Sequence, residues 1–185
     1  MAAPQKPFGF TLIELMITIA VLVILVTLAA PAFNLAEQRR LVGAAESALD
    51  QVQTARTEAI KQGRDIYFVS EGDGANWCHG ISDTSGCSCT QTDPDEADAC
   101  AIVIADDGER VLRAATHNSF RNISMDGSQE IRISHVRGTV VAGTPTRLEF
   151  ESAPSGFEMH LELNAIGRPR LCGQGRSFGG YAQCN

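Results

Sequence analysis

The stretch GFTLIELMITIAVLVILVTLAAPAF, residues 9–33, contains one charged side chain, Glu14, in an otherwise uncharged run. A helix of this length and composition can cross the roughly 30 Å hydrocarbon core of a bilayer. A carboxylate within such a helix costs several kcal/mol unless it has a partner, so Glu14 is predicted to be functional. The stretch therefore predicts a transmembrane helix over 10–33 with a functional charge near its start.

The residues around Gly9 carry a recognisable pattern. A short leader with one basic residue, Lys6, precedes Gly9, and Phe-Thr-Leu-Ile-Glu follows it. This arrangement resembles the processing site of the type IV pilin superfamily. The resemblance implies that a prepilin peptidase removes the leader, residues 1–9, by cutting between Gly9 and Phe10, and that the new Phe10 amine is N-methylated. It also implies that Glu14 of an incoming subunit pairs with the Phe10 amine of its neighbour. The alternative is a plain membrane anchor with an accidental Glu14.

Beyond this stretch the helical pattern continues but becomes amphipathic. Val42, Ala45, Leu49, Val52 and similar residues recur at three- and four-residue steps through 34–63, with charged residues between them. Gly63 is a typical helix stop. One long helix over 10–63 is predicted. In a type IV pilin, such a helix anchors the subunit in the bacterial inner membrane with a periplasmic head, and later contacts other pilins in a pilus or pseudopilus on the cell surface.

Short segments with strand character indicate that 64–185 is a β head. Gly, Pro, Asn and Asp interrupt these segments, and two of them alternate between apolar and polar residues. The predicted fold class is α+β, a type IV pilin fold in which the long N-terminal helix packs on an antiparallel head of two sheets. The predicted strands are 66–69, 101–104, 109–112, 131–134, 138–141, 147–150 and 158–163.

An even number of cysteines predicts disulfides in a translocated head. The last two are the natural pair at the carboxyl end. Cys87 and Cys89 are too close to bond each other comfortably, so they should pair outward, in an order that the sequence does not fix. A zinc site made from the first four is the weaker alternative, because their spacing lacks Cys-x-x-Cys pairs. The six are Cys78, Cys87, Cys89, Cys100, Cys172 and Cys184.

An acidic stretch contains the first four cysteines. Eleven acidic residues and no Lys or Arg lie between Asp65 and Glu109. Calcium is one interpretation of its cluster at 93–98, although the cluster lacks the glycine turn and terminal Glu of an EF-hand loop. A solvated, disulfide-tethered loop over 71–100 is the preferred interpretation. No metal and no cofactor is therefore predicted.

The tail, residues 164–185, has the opposite charge. It contains Arg168, Arg170 and Arg176 and no acidic residue, in a chain of formal net charge −7. Pro169 pushes Arg168 toward an extended conformation, in which Arg168 and Arg170 project together. Each guanidinium can grip a phosphate with two donors, and Arg176 could join them from the disulfide-closed loop that follows. The pattern predicts a phosphate-binding patch, whose contacts with a nucleic-acid backbone would be weak, sequence-tolerant and salt-sensitive.

A second resemblance covers the start of this tail. Gly167, Arg168 and Arg170 resemble the Gly-Arg-x-Arg motif of FimT-type minor pilins, which take part in DNA uptake during natural transformation. The resemblance implies that these residues bind DNA. FimU-type minor pilins and the GspH pseudopilins of type II secretion share the plan of helix plus β head. A structural subunit that does not bind DNA, with its arginines docked on a neighbour's carboxylates, is therefore the alternative.

No pattern of catalytic residues is found. The histidines are scattered without metal-binding spacing, and nucleophile and phosphate-loop signatures are missing. The chain is predicted to be a structural and binding protein, not an enzyme.

Overall fold

The structure of the chain, a computed structural model, describes residues 9–103, 108–141, 147–153, 155–164, 166–175, 177 and 179–184, without the side chains of 29–33 and 73. Residues 1–8 of the leader and Arg176 of the tail lie outside the described residues. The chain divides into two units, Met1–Ala36 and Glu37–Asn185.

One long helix, α1 (Leu12–Gln62), begins the described chain, close to the predicted 10–63. Thr11 caps its start, because the Glu14 N–H donates to Thr11 Oγ1 at 3.3 Å. Gly63, with φ of 64°, ends it. None of the helices formed by the described residues combines the length and the apolar character that a membrane span requires. Part of the predicted span, 29–33, lies outside the residues whose side chains are described.

The second half of α1 buries one stripe of small and aliphatic side chains against the head. The predicted stripe is confirmed, except that Val42 and Leu49 are only partly buried. Alanines dominate the stripe, and their small side chains let the sheets approach the helix closely. Its fully buried members are Leu41, Ala44, Ala45, Ala48, Val52, Ala55 and Ala59.

The described head contains antiparallel sheets, which confirms the predicted α+β class. A five-stranded sheet has the order β5-β2-β1-β7-β8, a four-stranded sheet has the order β11-β10-β9-β6, and β3 and β4 form a small third sheet that was not predicted. The strands are β1 (Ile66–Asp73), β2 (Asn76–Ser82), β3 (Ala101–Val103), β4 (Arg110–Leu112), β5 (Ala114–Thr116), β6 (Ile123–Asp126), β7 (Gln129–Ser134), β8 (Thr139–Val140), β9 (Arg147–Ser152), β10 (Phe157–Leu163) and β11 (Pro169–Gly173).

A buried histidine lies between α1 and the five-stranded sheet. His79 in β2 is completely buried, and its Nδ1 is 2.7 Å from the Gln51 amide oxygen of α1. The rings of Phe68 and Trp77 stack on it at centroid distances of 5.9 and 5.8 Å. Its Nε2 has no hydrogen-bond partner among the described residues. Burial lowers the pKa of His79 to about 4, because a charged imidazole would lose its hydration here.

The prediction of a loop over 71–100 is wrong for its first part. β1 continues to Asp73 and pairs with β2 as a hairpin, with Asp73 opposite Asn76. β2 cannot be recognised by an alternation of apolar and polar residues, because all of its residues from Trp77 onward are buried. The Trp77 indole N–H donates to the Ile123 carbonyl at 2.7 Å, which ties the hairpin to β6 of the other sheet.

The order of the disulfides in the acidic stretch is now defined. Cys78 pairs with Cys89, and Cys87 pairs with Cys100, which is the outward pairing expected. These bonds leave none of the four as a thiolate, and this overturns the zinc alternative. The Cys78–Cys89 bridge connects this segment to β2, and the Cys87–Cys100 bridge joins the two ends of residues 87–100.

Candidate nucleic-acid interface

The motif residues lie at one end of the β10–β11 hairpin. The turn between the strands is closed by the Gly167 N–H, which donates to the Asn164 carbonyl at 2.8 Å. The Asn164 side chain adds a second bond, because its Oδ1 accepts the Arg168 N–H at 2.8 Å. Arg168 is therefore held at the exit of a tight turn, immediately before β11 begins at Pro169.

Gly167 has a steric role within this turn. Its φ is +72°, in the left-handed region that disfavours side chains. A Cβ at this position would lie 2.7 Å from the Gly138 carbonyl oxygen and 3.1 Å from the Val140 nitrogen. The hairpin turn thus rests directly on the β7–β8 turn, where the edges of the two main sheets meet. The glycine of the Gly-Arg-x-Arg pattern is explained by this close approach.

The two arginines of the motif share one pocket of about 520 Å³, whose lining also includes Asn164 and Glu162. Both side chains are exposed. The two side chains differ in their ionic contacts. Arg170 Nη2 lies 2.8 Å from Oε2 of Glu162, the residue directly opposite it on β10. Arg168 has no carboxylate within salt-bridge distance among the described residues. Only one of the two guanidinium groups is therefore available without breaking an ion pair.

The chain after β11 is tied back onto the head. Cys172 pairs with Cys184, the two cysteines expected to bond, and the Cys184 N–H donates to the Gly173 carbonyl at 2.9 Å. The Tyr181 hydroxyl donates to Glu46 Oε1 of α1 at 2.6 Å. That hydrogen bond is the main reason that the pKa of Tyr181 rises to about 12. These contacts connect both the four-stranded sheet and α1 to the tail.

One neighbour of the motif comes from a distant part of the sequence. Arg56 of α1 is half-buried, and its Nε donates to the Gly138 carbonyl at 2.8 Å. The same carbonyl meets the Gly167 turn. Sequence reasoning missed Arg56, because it looks like an ordinary polar residue of an amphipathic helix. No local signal shows that residues 56, 138 and 167 meet.

Clusters of possible metal ligands in the described chain are already engaged. Two of the three groups depend on disulfide-bonded cysteines. The third joins Glu149, Glu158 and the buried His160. His160 Nε2 is 2.6 Å from Glu158 Oε1, and Arg147 Nη2 is 2.6 Å from His160 Nδ1. Because arginine only donates, Nδ1 is the acceptor and Nε2–H the donor, so this group is a satisfied cross-strand network.

The residues of the predicted processing site lie at the start of the first unit. Gly9 and Phe10 precede α1 and are exposed, with Phe10 at 82%. Glu14 lies in the first turn of α1, and its side chain is exposed. The Gly9–Phe10 bond therefore lies four residues before Glu14 in the sequence, immediately upstream of α1.

Two protein-family models match this sequence. The model for type II transport protein GspH matches residues 44–167, and the model for the prokaryotic N-terminal methylation motif matches residues 5–30. Arg168 and Arg170 lie just beyond the first match. No curated protein matches the chain. Among solved structures, the type IV minor pilin FimU of Pseudomonas aeruginosa (strain PAO1) is similar, at 19% identity and a TM-score of 0.47, over 74% of this chain and 91% of that one.

Proposed function

The chain belongs to the family of type II transport protein GspH and carries a prokaryotic N-terminal methylation motif, and from this premise we propose that it is a minor pilin that binds DNA. It is a minor pilin or pseudopilin, and it associates with other pilins in a pilus or pseudopilus. The more specific proposal is that the β10–β11 turn contacts the DNA backbone during uptake in natural transformation. This binding role requires no catalytic residue.

Processing and assembly follow the methylation motif. We propose that a prepilin peptidase in the inner membrane cuts after Gly9 and that the Phe10 amine is then methylated. The helix over 10–33 anchors the subunit until assembly, and 64–185 forms the periplasmic and then extracellular head. Exposure of Phe10 and Glu14 supports this proposal, since both remain accessible to a neighbouring subunit. Pairing of the Glu14 carboxylate with that neighbour's amine satisfies both charges in an apolar surrounding.

The observation that supports DNA binding is the shared pocket of Arg168 and Arg170. Guanidinium groups bind phosphate oxygens with two parallel donors. Exposed arginines at the rim of an open pocket can follow a flexible, repeating polyanion without reading its bases. The Glu162 carboxylate limits the strength, because Arg170 must leave it or share it when phosphate binds.

The charge count predicts the salt dependence. Each phosphate contact on duplex DNA contributes about −0.9 to the slope of log K against log salt. Arg168 alone gives a slope of about −0.9, and Arg170 brings it to about −1.8 if phosphate displaces Glu162. Affinity per subunit is therefore modest. Repeated subunits or partner pilins raise the total through avidity.

The test uses the full chain in a nonionic detergent and a fluorescein-labelled duplex of mixed sequence, measured by fluorescence anisotropy. The wild type should bind, and binding should weaken as salt rises. The double variant Arg168→Ala plus Arg170→Ala should lose it. Arg121→Ala is a matched control, because Arg121 is also an exposed arginine. Its neighbour in sequence, Phe120, contacts α1 at Gly43, so Arg121 lies in another part of the head. Equal binding by the wild type and the double variant would remove the DNA proposal.

A second candidate is a structural subunit without DNA affinity, either FimU-like or a GspH-like pseudopilin that starts pseudopilus assembly. The Arg170–Glu162 ion pair favours it, because a surface that satisfies its own arginine has less need of an external anion. The two functions separate in the native host. Under the first proposal, deletion of the gene should abolish transformation. Under the second, deletion should impair secretion or piliation, and the cells should still bind DNA.

A further inference from the structure

We propose that Arg137 and Arg56 complete the phosphate-binding surface that begins at Arg168. DNA would then be held across two turns, β7–β8 and β10–β11, and not by the carboxyl-terminal motif alone. This inference rests on the proposed DNA-binding function and specifies which residues form the site.

The contact between the two turns is the basis for this proposal. The Gly138 carbonyl lies 2.8 Å from Arg56 Nε and 2.7 Å from the place that a Cβ on residue 167 would take. Gly138 itself has φ of +61°, and a Cβ there would lie 3.1 Å from Ile60 Cδ1 of α1. One carbonyl thus brings together the helix and both turns. Arg137 immediately precedes Gly138, and Arg168 immediately follows Gly167.

The charges at this contact are available for an external anion. Arg137 and Arg168 are exposed, and neither has a carboxylate within salt-bridge distance among the described residues. Arg56 uses its Nε on a neutral carbonyl, so its positive charge is not cancelled by a carboxylate in the described chain. Arg56 contacts the Gly138 carbonyl, Arg137 and Arg168 are the chain neighbours of Gly138 and Gly167, and none of the three has a carboxylate partner among the described residues.

The nearby carboxylates are occupied by other arginines. Asp65 accepts Arg132 and the ring and backbone N–H groups of His135, and Glu162 accepts Arg170. These pairs are neutral as units, so they do not cancel the charges of Arg56, Arg137 and Arg168. The surface carries about three net positive charges on a chain whose overall charge is −7. Such a local excess favours a repeating anion over an isolated carboxylate.

Exposed aliphatic side chains lie among these arginines. Ile60, Val136 and Ile166 are 56%, 71% and 62% exposed, and each belongs to α1 or to one of the two turns. They can cover the deoxyribose faces between phosphates, which removes water from the ion pairs and strengthens them. A protein partner with an acidic rim is the alternative occupant, and failure of the wild type to bind duplex DNA would favour it.

The decisive variant is Arg137→Ala, assayed with the full chain in nonionic detergent and a fluorescein-labelled 30-base-pair duplex over a range of salt. One lost phosphate contact should reduce the slope of log K against log salt by about 0.9 and weaken binding about eightfold at 0.1 M salt. Arg137→Lys should restore most of the slope, since it keeps the charge. A merely structural role for Arg137 would not change this slope in this way.

Arg121→Ala is the matched control. It removes the same charge, and Arg121 lies near the level of Gly43, about 20 Å along α1 from Arg56. Its slope should equal that of the wild type. The Arg137→Ala protein should also unfold at the wild-type midpoint, because no described hydrogen bond depends on this side chain.

The outcomes separate the two proposals. If the wild type binds no duplex, both fail. If the double variant at 168 and 170 loses binding while Arg137→Ala keeps the wild-type slope, the two-turn surface is wrong and the motif alone binds. In that case the exposed side chains of Ile60, Val136 and Ile166 would instead form contacts between subunits.

Discussion

Acidification should destabilise the head through one buried side chain, His79. Burial gives its imidazole a pKa of about 4 in the folded state, compared with 6.5 in an unfolded chain. Between these values the unfolded chain binds more protons than the folded one. The free energy of unfolding is therefore highest above pH 6.5 and falls as the pH decreases toward 4.

The size of the effect follows from the same two values. The full loss is about 3 kcal/mol, and about 2 kcal/mol of it is reached by pH 5. That is a large part of the 5–15 kcal/mol that stabilises an ordinary domain. Asp65 does not contribute in this range. Its pKa is lowered to about 2, first by the backbone N–H of His135, so its stabilisation is lost only as the pH falls below about 4.

Urea unfolding of the full chain in nonionic detergent, without reductant, would measure this loss at pH steps from 7.5 to 5. Trp77 is the only tryptophan and stacks on the His79 ring at 5.8 Å, so its fluorescence reports the relevant region. His79→Gln cannot be protonated and should flatten the dependence. His117→Gln, a half-buried histidine in the same head, should keep the wild-type dependence.

The reasoning would be refuted if His79→Gln lost stability with falling pH as steeply as the wild type. It would also fail if the wild-type midpoint stayed constant between pH 7.5 and 5.

Three further outcomes follow from the contacts described. Gly167→Ala should lower the free energy of unfolding by about 2 kcal/mol and the Tm by about 4–8 °C, because its Cβ meets the Gly138 carbonyl and its φ disfavours a side chain. An unchanged Tm in thermal unfolding monitored by circular dichroism would contradict this. Glu162→Gln should tighten DNA binding and steepen the salt slope by about 0.9, because it frees Arg170; a slope equal to the wild type in anisotropy titrations would show that Arg170 never meets phosphate. Glu14→Ala should leave membrane insertion intact but reduce incorporation into filaments, measured by immunoblotting of sheared pili; normal incorporation would rule out the assembly role of that carboxylate.

The long helix and the two central strands of the four-stranded sheet, β9 and β10, could be predicted, because their burial is one-sided. α1 carries a regular apolar stripe, and β9 and β10 alternate along most of their length. β2 was missed since it is buried on both faces and contains a cysteine, a histidine and a glycine, residues that do not suggest a strand. β11 was missed because its proline and arginine suggested an exposed tail.

The candidate site was predictable only where its residues are adjacent in sequence. The common pocket of Arg168 and Arg170 follows from their two-residue spacing. The ion pair of Arg170 with Glu162 depends on the register of β10 against β11, which the sequence does not specify. The approach of Arg56 to Gly138 joins residues 82 positions apart and depends on how the helix packs.

The position of the Gly138 carbonyl also determines how mechanical load would pass through the head. β11 is an edge strand, and a pull applied across it at one end would peel it from β10 one hydrogen bond at a time. The turn at Gly167 instead rests on the loop that Arg56 clamps to the helix. Tension from a long polymer gripped at this turn would therefore reach the stiffest element of the subunit across one short loop, and the sheet would be spared.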